Sequence, residues 1–154
     1  MHGIEAPESP RLTVVLAGTS SDSHTWNLIF LQLLLAEQGC GVVNLGPCPS
    51  DRMIVAECLR VTPDLIVLSS VNGHGRVDGA RVVRLLRRLP AMEVVPIVIG
   101  GKLDIAGTAG TPPAGQVEAD GLTAAGFTAV FGDQDEDVRR FTRFVASVPA
   151  RACA

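Results

Sequence analysis

Leu12-Thr13-Val14-Val15-Leu16-Ala17-Gly18-Thr19-Ser20-Ser21-Asp22-Ser23-His24 decides the fold. Its first six residues are apolar or β-branched without the alternation of a one-sided strand, so they read as a strand buried on both faces, as in parallel sheets. Gly18 stops the run, and Thr19 to His24 form a polar loop at its carboxyl end. Trp26 to Gln38 follows with Leu28, Leu31, Leu35 and Ile29, Leu33 at helical spacing, closed by Gly39. Gly41 to Leu45 is a second short strand, and Ser50 or Asp51 caps a helix running to about Val61. Pro63 to Ser70 is a third buried strand, Arg76 to Leu89 a third helix, and Val94 to Ile99 a fourth strand ending at Gly100-Gly101. Lys102 to Gly115, rich in glycine and proline, reads as an exposed loop. A helix over Gln116 to Ala125, a fifth strand over Phe127 to Phe131 and a final helix over Asp135 to Val148 complete the chain.

This alternation predicts an α/β fold, a doubly wound, five-stranded parallel sheet with helices on both faces. Residues 1–10, with two prolines and two glutamates, read as a flexible lead-in, 11–148 as one domain and 149–154 as a tail. Ligands of such sheets bind outside the carboxyl ends of the strands, near the switch in strand order. Asp22-Ser23-His24, Ser69-Ser70-Val71 and Gly100-Gly101 all fall there.

With 154 residues, 47% of them hydrophobic, the chain supports one sizeable core. A net charge of −3 offers no basic field for nucleic acid, and the row Arg81, Arg84, Arg87, Arg88 reads as a solvated helix face. Cys40, Cys48, Cys58 and Cys153 lack metal-site or disulfide spacing, and nothing resembles a signal peptide, so reduced thiols in a cytoplasmic protein are expected. No apolar run approaches the roughly 18 residues of a membrane span.

Asp22 stands two residues before His24. A carboxylate so placed can hydrogen-bond one ring nitrogen and leave the other as an oriented lone pair for a metal. One protein ligand cannot hold a bare ion, but it can be the axial ligand of a metal already held in a macrocycle. His74 reads as a loop residue on the rim, and Trp26 as a packing residue at the helix start. Gly73-x-Gly75-x-x-x-Gly79 has the wrong spacing and follows the wrong strand for a dinucleotide loop, and Gly101-Lys102-Leu103 lacks the glycine and hydroxyl of a phosphate loop. A phosphorylatable receiver needs an aspartate where this chain has Ser69-Ser70.

Together, Asp22-Ser23-His24-Thr25-Trp26-Asn27, Ser69-Ser70-Val71 and Gly100-Gly101 resemble the DxHxxG, SxL and GG series of the cobalamin-binding domain family. The wording of Val43-Asn44-Leu45-Gly46, of Leu68 to Gly75 and of Val98 to Gly101 is similar to the small cobalamin-binding subunits of glutamate mutases. The resemblance runs from Arg11 to about Val148. It implies cobalamin bound base-off, with His24 as lower cobalt ligand, Asp22 holding the ring, and the displaced nucleotide tail in a slot of the sheet. Ser21, Ser23, Thr25, Asn27, Gly73 and Lys102 would border the cofactor, Ser69 would hydrogen-bond the displaced base, Val71 would keep the slot apolar, and Gly100 and Gly101 would admit the tail. Phe131-Gly132 stands where a small, proline-containing turn is expected beside the tail. Asn27 replaces the family's glycine, so altered geometry or weaker affinity is expected.

The resemblance further implies adenosylcobalamin, Co–C homolysis and a carbon-skeleton rearrangement, glutamate to 3-methylaspartate. The chain supplies no acid–base pair or substrate clamp, which implies a larger, barrel-type catalytic subunit as partner. The alternatives are a corrinoid carrier for methyl transfer, disfavoured because only about ten residues precede the first strand where a helical cap would stand, and a degenerate homologue with an interaction or regulatory role.

Overall fold

A computed structural model of the chain describes residues 9–103 and 121–151. Most of the expected lead-in, residues 104–120 with most of the glycine-rich stretch and the first half of the fourth helix, and residues 152–154 with Cys153 lie outside the described residues.

The elements are β1 (Leu12–Gly18), α1 (Trp26–Glu37), β2 (Cys40–Asn44), α2 (Asp51–Val61), β3 (Leu65–Ser70), α3 (Gly75–Arg87), β4 (Ile97–Gly101), helical residues 121–125 (α4), β5 (Ala129–Phe131) and α5 (Asp135–Ser147). A single 3-10 turn, Pro90–Met92, precedes β4. The strands form a five-stranded sheet in the order β2-β1-β3-β4-β5, every neighbouring pair parallel. That is the flavodoxin-like doubly wound order, and the direction of winding reverses between β1 and β3. No helix among the described residues is long and apolar enough to cross a membrane.

Alternation along the strands divides the core. Val15, Ala17, Ile66, Leu68, Ile97 and Ile99 face the layer carrying Ile54 and Cys58 of α2, Val82, Val83 and Leu86 of α3, and Leu122 of α4. Leu12, Val14, Leu16, Leu65, Val67 and Val98 face Leu28 and Leu35 of α1 and Phe141 and Val145 of α5. Gly75 and Gly79 have a packing role: a Cβ on Gly75 would lie 2.6 Å from Ser70 Cβ, and one on Gly79 2.5 Å from Ile99 Cδ1. They let α3 lie close on the sheet, which is why the glycines that suggested a dinucleotide loop stand where they do.

Several expectations are corrected. The fourth strand starts three residues late, because Pro96 has no N–H for the ladder and Val94 is 81% exposed. It also absorbs Gly100 and Gly101, which pair with Ser69 and Ser70. On α1, Leu28 and Leu35 are buried but Ile29 and Leu33 are exposed, and Trp26, expected to pack, is 83% exposed. The arginine row is not one solvated face. Arg81 is ion-paired to Asp51 and Asp78, and Arg87 reaches the carbonyls of Gly126, Met92 and Val95. Arg84 and Arg88 are exposed.

Candidate functional site

The site begins where β1 ends. The chain leaves Gly18, turns through an Asp22 N–H to Thr19 carbonyl bond of 3.0 Å, and enters α1 with Thr25 at its N-cap. Asp22 is 1% exposed in this loop, and its carboxylate is saturated with donors. Oδ1 accepts from the His24 backbone N–H at 2.9 Å and from His24 Nδ1 at 2.7 Å. Oδ2 accepts from the backbone N–H of Val71 at 2.5 Å and of Asn72 at 3.3 Å, past the end of β3. Burial alone would push the carboxyl up, but the bonds from Val71 and from the His24 backbone and ring outweigh it and hold the group below its usual value. Asp22 therefore stays an anion and clamps the loops after β1 and β3 together across the switch point.

With Nδ1 donating to that carboxylate, Nε2 of His24 carries the lone pair. The His24 side chain is 58% exposed, and Nε2 has no partner among the described residues. Among the described residues no group of three or more His, Cys, Asp or Glu could hold a metal ion. A single oriented imidazole fits a metal that brings its own equatorial ligands and needs one axial donor.

A second bracing network holds the loop from the other side. Ser21 Oγ donates to Asp78 Oδ2, Arg81 donates to Asp78 at 3.0 Å, to Asp51 at 2.6 Å and to Ser20 Oγ at 2.7 Å, and Asn72 Nδ2 donates to the Ser21 carbonyl at 2.9 Å. The carboxylates of Asp51 and then Asp78 keep the Arg81 guanidinium firmly charged. Asn72 and Asp78 were not read from the sequence as part of the site. The only signal was that Asn72 lies inside the quoted Leu68 to Gly75 stretch.

Between α1 and α5, against the carboxyl ends of β3, β4 and β5, lies a cavity of about 190 Å³. Asn27, Ser69, Val71, Gly100, Gly101, Phe131 and Gly132, seven of the residues expected to border the tail, line it. Phe30, Leu31 and Leu34 of α1 and Val138 and Phe141 of α5 complete its apolar walls, and Asp133 and Asp137 stand at its β5 end. These α1 and α5 residues were missed because helical periodicity does not say which neighbour a face meets.

One of its small residues is required by the backbone itself. Gly101 has φ +107°, and a Cβ there would sit 2.2 Å from the Ser70 carbonyl oxygen. A Cβ on Gly132 would meet Asp137 Oδ2 at 2.6 Å. Phe131 is fixed by an edge-to-face contact with Phe141, ring centroids 5.4 Å apart, and by Arg140 over its face at 5.2 Å. Asn27 Nδ2 donates to Ser69 Oγ at 2.7 Å, so the serine expected to meet the base already has a neighbour in the slot. Ser21, Ser23, Thr25, Gly73 and Lys102 do not line the cavity. Ser21 serves the bracing network, Ser23, Thr25 and Lys102 are partly or fully exposed, and Gly73 turns the chain into α3 with φ +86°.

No family model matches the chain. It is 32% identical over 96 residues to the HTH-type transcriptional repressor CarA of Myxococcus xanthus, covering 62% of this chain and 32% of the repressor. It is 26% identical over 91 residues to the glutamate mutase sigma subunit of Clostridium cochlearium, covering 59% of this chain and 66% of that subunit. The match thus spans about a third of one relative and just under two thirds of the other. Among solved structures, a cobalamin-binding protein from Desulfitobacterium hafniense matches with a TM-score of 0.67 at 19% identity, over 87% of this chain and 59% of that one. The methanol:cobalamin methyltransferase complex MtaBC of Methanosarcina barkeri matches with 0.60 at 15% identity, over 94% of this chain and 50% of that one. The chemotaxis response regulator CheY4 of Vibrio cholerae matches with 0.58 at 19% identity, over 87% and 98%. These structural likenesses establish the doubly wound fold, which carries more than one function. The chain resembles the cobalamin-binding domain family, in sequence through the sigma subunit and in fold through the cobalamin-binding structures.

Proposed function

We propose that residues 11–148 form a cobalamin-binding domain that holds its cofactor base-off, with His24 Nε2 as the lower cobalt ligand and the displaced tail in the slot between α1 and α5. One observation carries this reading: Val71, just past β3, donates its backbone N–H to the carboxylate that holds the His24 ring and also lines the slot, so the braced imidazole and the cavity meet at one strand end. Asp22 holds the ring in one tautomer and one orientation. Ser69, Gly100 and Gly101 shape the floor of the slot, and Val71 and Phe131 exclude water from it. The bound group would supply a weak Co–C bond whose homolysis starts a carbon-skeleton rearrangement. In this reading the chain is the cofactor-binding subunit of an adenosylcobalamin-dependent mutase of the glutamate mutase type, and a larger catalytic subunit binds the substrate. The exposed apolar row Trp26, Ile29, Phe30 and Leu33 beside His24 supports a covering partner.

The test is titration of the purified chain with hydroxocobalamin, followed by absorbance. The base-off, imidazole-ligated spectrum is expected for the wild type, and no such spectrum for His24→Ala. An unchanged spectrum for the wild type at high micromolar cofactor, or an unaltered response in His24→Ala, removes the reading. Mixing with a mutase large subunit should generate turnover that neither protein has alone. A second reading, a cobalamin-responsive regulatory domain, is supported by the 32% identity to a transcriptional repressor. It expects the same spectrum and no turnover in any mixture.

A further inference from the structure

Asn72 stands just past β3 and is bonded through its backbone N–H and both ends of its amide. The backbone N–H donates to Asp22 Oδ2 at 3.3 Å. Nδ2 donates to the Ser21 carbonyl at 2.9 Å and to Ser21 Oγ at 3.1 Å. Oδ1 accepts from the Ser70 hydroxyl at 3.1 Å and from the His74 backbone N–H at 3.0 Å. A carbonyl on one side and an N–H on the other leave the amide a single orientation.

The contact between Asp22 and His24 is local, two residues apart in one loop, so it survives any shift of that loop as a body. What such a shift changes is the distance from the imidazole to the slot. Among the described residues the loop is joined to the end of β3 by the Val71 N–H on Asp22 and by the three donations of Asn72. Two of these come from the Asn72 side chain, and its neighbour Val71 lines the slot. Ser21 in turn donates to Asp78, which Arg81 holds at 3.0 Å, so the anchored loop has a second fixed end on α3.

A ligand held at two points gains its second contact cheaply only when the protein keeps both points at the span of the tether. In the reading above cobalamin is such a ligand, with cobalt on His24 and the covalently attached tail in the slot. We infer that Asn72 is a positioning residue that sets this span, holding the imidazole at the distance from the slot at which one cofactor molecule engages both. This rests on the base-off reading and deepens it.

The experiment compares hydroxocobalamin with cobinamide, which has the same macrocycle and no nucleotide tail, by absorbance titration of the wild type, Asn72→Ala and Asn72→Asp. The isosteric Asn72→Asp keeps an oxygen for Ser70 and His74 and turns only the two donations to Ser21 into repulsion. Folding of both variants is checked by circular dichroism. The ratio of cobalamin to cobinamide affinity should fall by about 5- to 50-fold in both, the range expected for two lost hydrogen bonds. Cobinamide, which needs only the imidazole, should keep its affinity within about threefold. A purely structural role would weaken both corrinoids alike. That outcome, an undiminished ratio in either variant, or loss of the fold in both overturns the inference and leaves the base-off reading standing. A wild type that gives the imidazole-ligated spectrum with neither corrinoid overturns the reading and the inference with it.

Discussion

Asp22 is the residue on which the site turns. Its carboxylate joins a ring two residues ahead to a backbone 49 positions away, so one side chain sets both the tautomer of His24 and the spacing of the two loops. The Asp22–His24 half of this was legible because it is local: residues two apart in a loop can meet whatever the rest of the chain does. The Asn27–Ser69 contact was not, because it spans 42 positions and depends on how α1 is rotated over β3. Gly101 shows the same limit. Its glycine was read as room for a ligand, and the structure adds a backbone reason, a positive φ of 107° against the Ser70 carbonyl. Gly101→Ala is therefore expected to lose at least about 2 kcal/mol of stability in urea unfolding, from combined clash and left-handed strain. A loss below about 0.5 kcal/mol would show that the carbonyl moves aside freely.

At the scale of elements, the starts and stops written in local chemistry were readable. Ser50 caps α2 through an Oγ that accepts from Met53 N–H at 3.1 Å, with Asp51 in the first turn. Replacing it with alanine should cost about 1 kcal/mol, seen as a lower urea midpoint with an unchanged slope. An unchanged midpoint would mean that water replaces the cap. Faces were less readable than ends. α1 is apolar nearly all round, so its spacing fits several rotations, and only packing selects Leu28 and Leu35 for burial over Ile29 and Leu33. β4 misled in another way: the β-branched Val94 and Val95 look like strand, but Pro96 has no N–H with which to carry the ladder back toward them, while two glycines of poor strand propensity are held by pairing with Ser69 and Ser70.

At the scale of the molecule, the five-stranded sheet and its two helical layers followed from alternation alone, since uniformly apolar strands need cover on both faces. What alternation could not supply was the long-range fastening: Arg11 on the carbonyls of Val145 and Val148, and Arg87 on those around β4. The layer beneath α2 carries a pH signature. Burial pushes the Cys58 thiol up to about 12, from its ordinary 9.0 in the unfolded chain. The folded state thus keeps a proton that the unfolded state releases, and this contribution is complete below pH 9.0 and fades as pH rises toward about 12. Urea midpoints should fall across that window, and fall less steeply in Cys58→Ala; equal slopes would assign the alkaline loss to other groups. One last property belongs to the chain as a whole. It has a single tryptophan, and Trp26 stands 83% exposed two residues past His24. Its indole fluorescence therefore reports from the mouth of the site and nowhere else. Any chromophore that settles on that imidazole will dim the emission of the entire protein, a built-in optical gauge that needs no label.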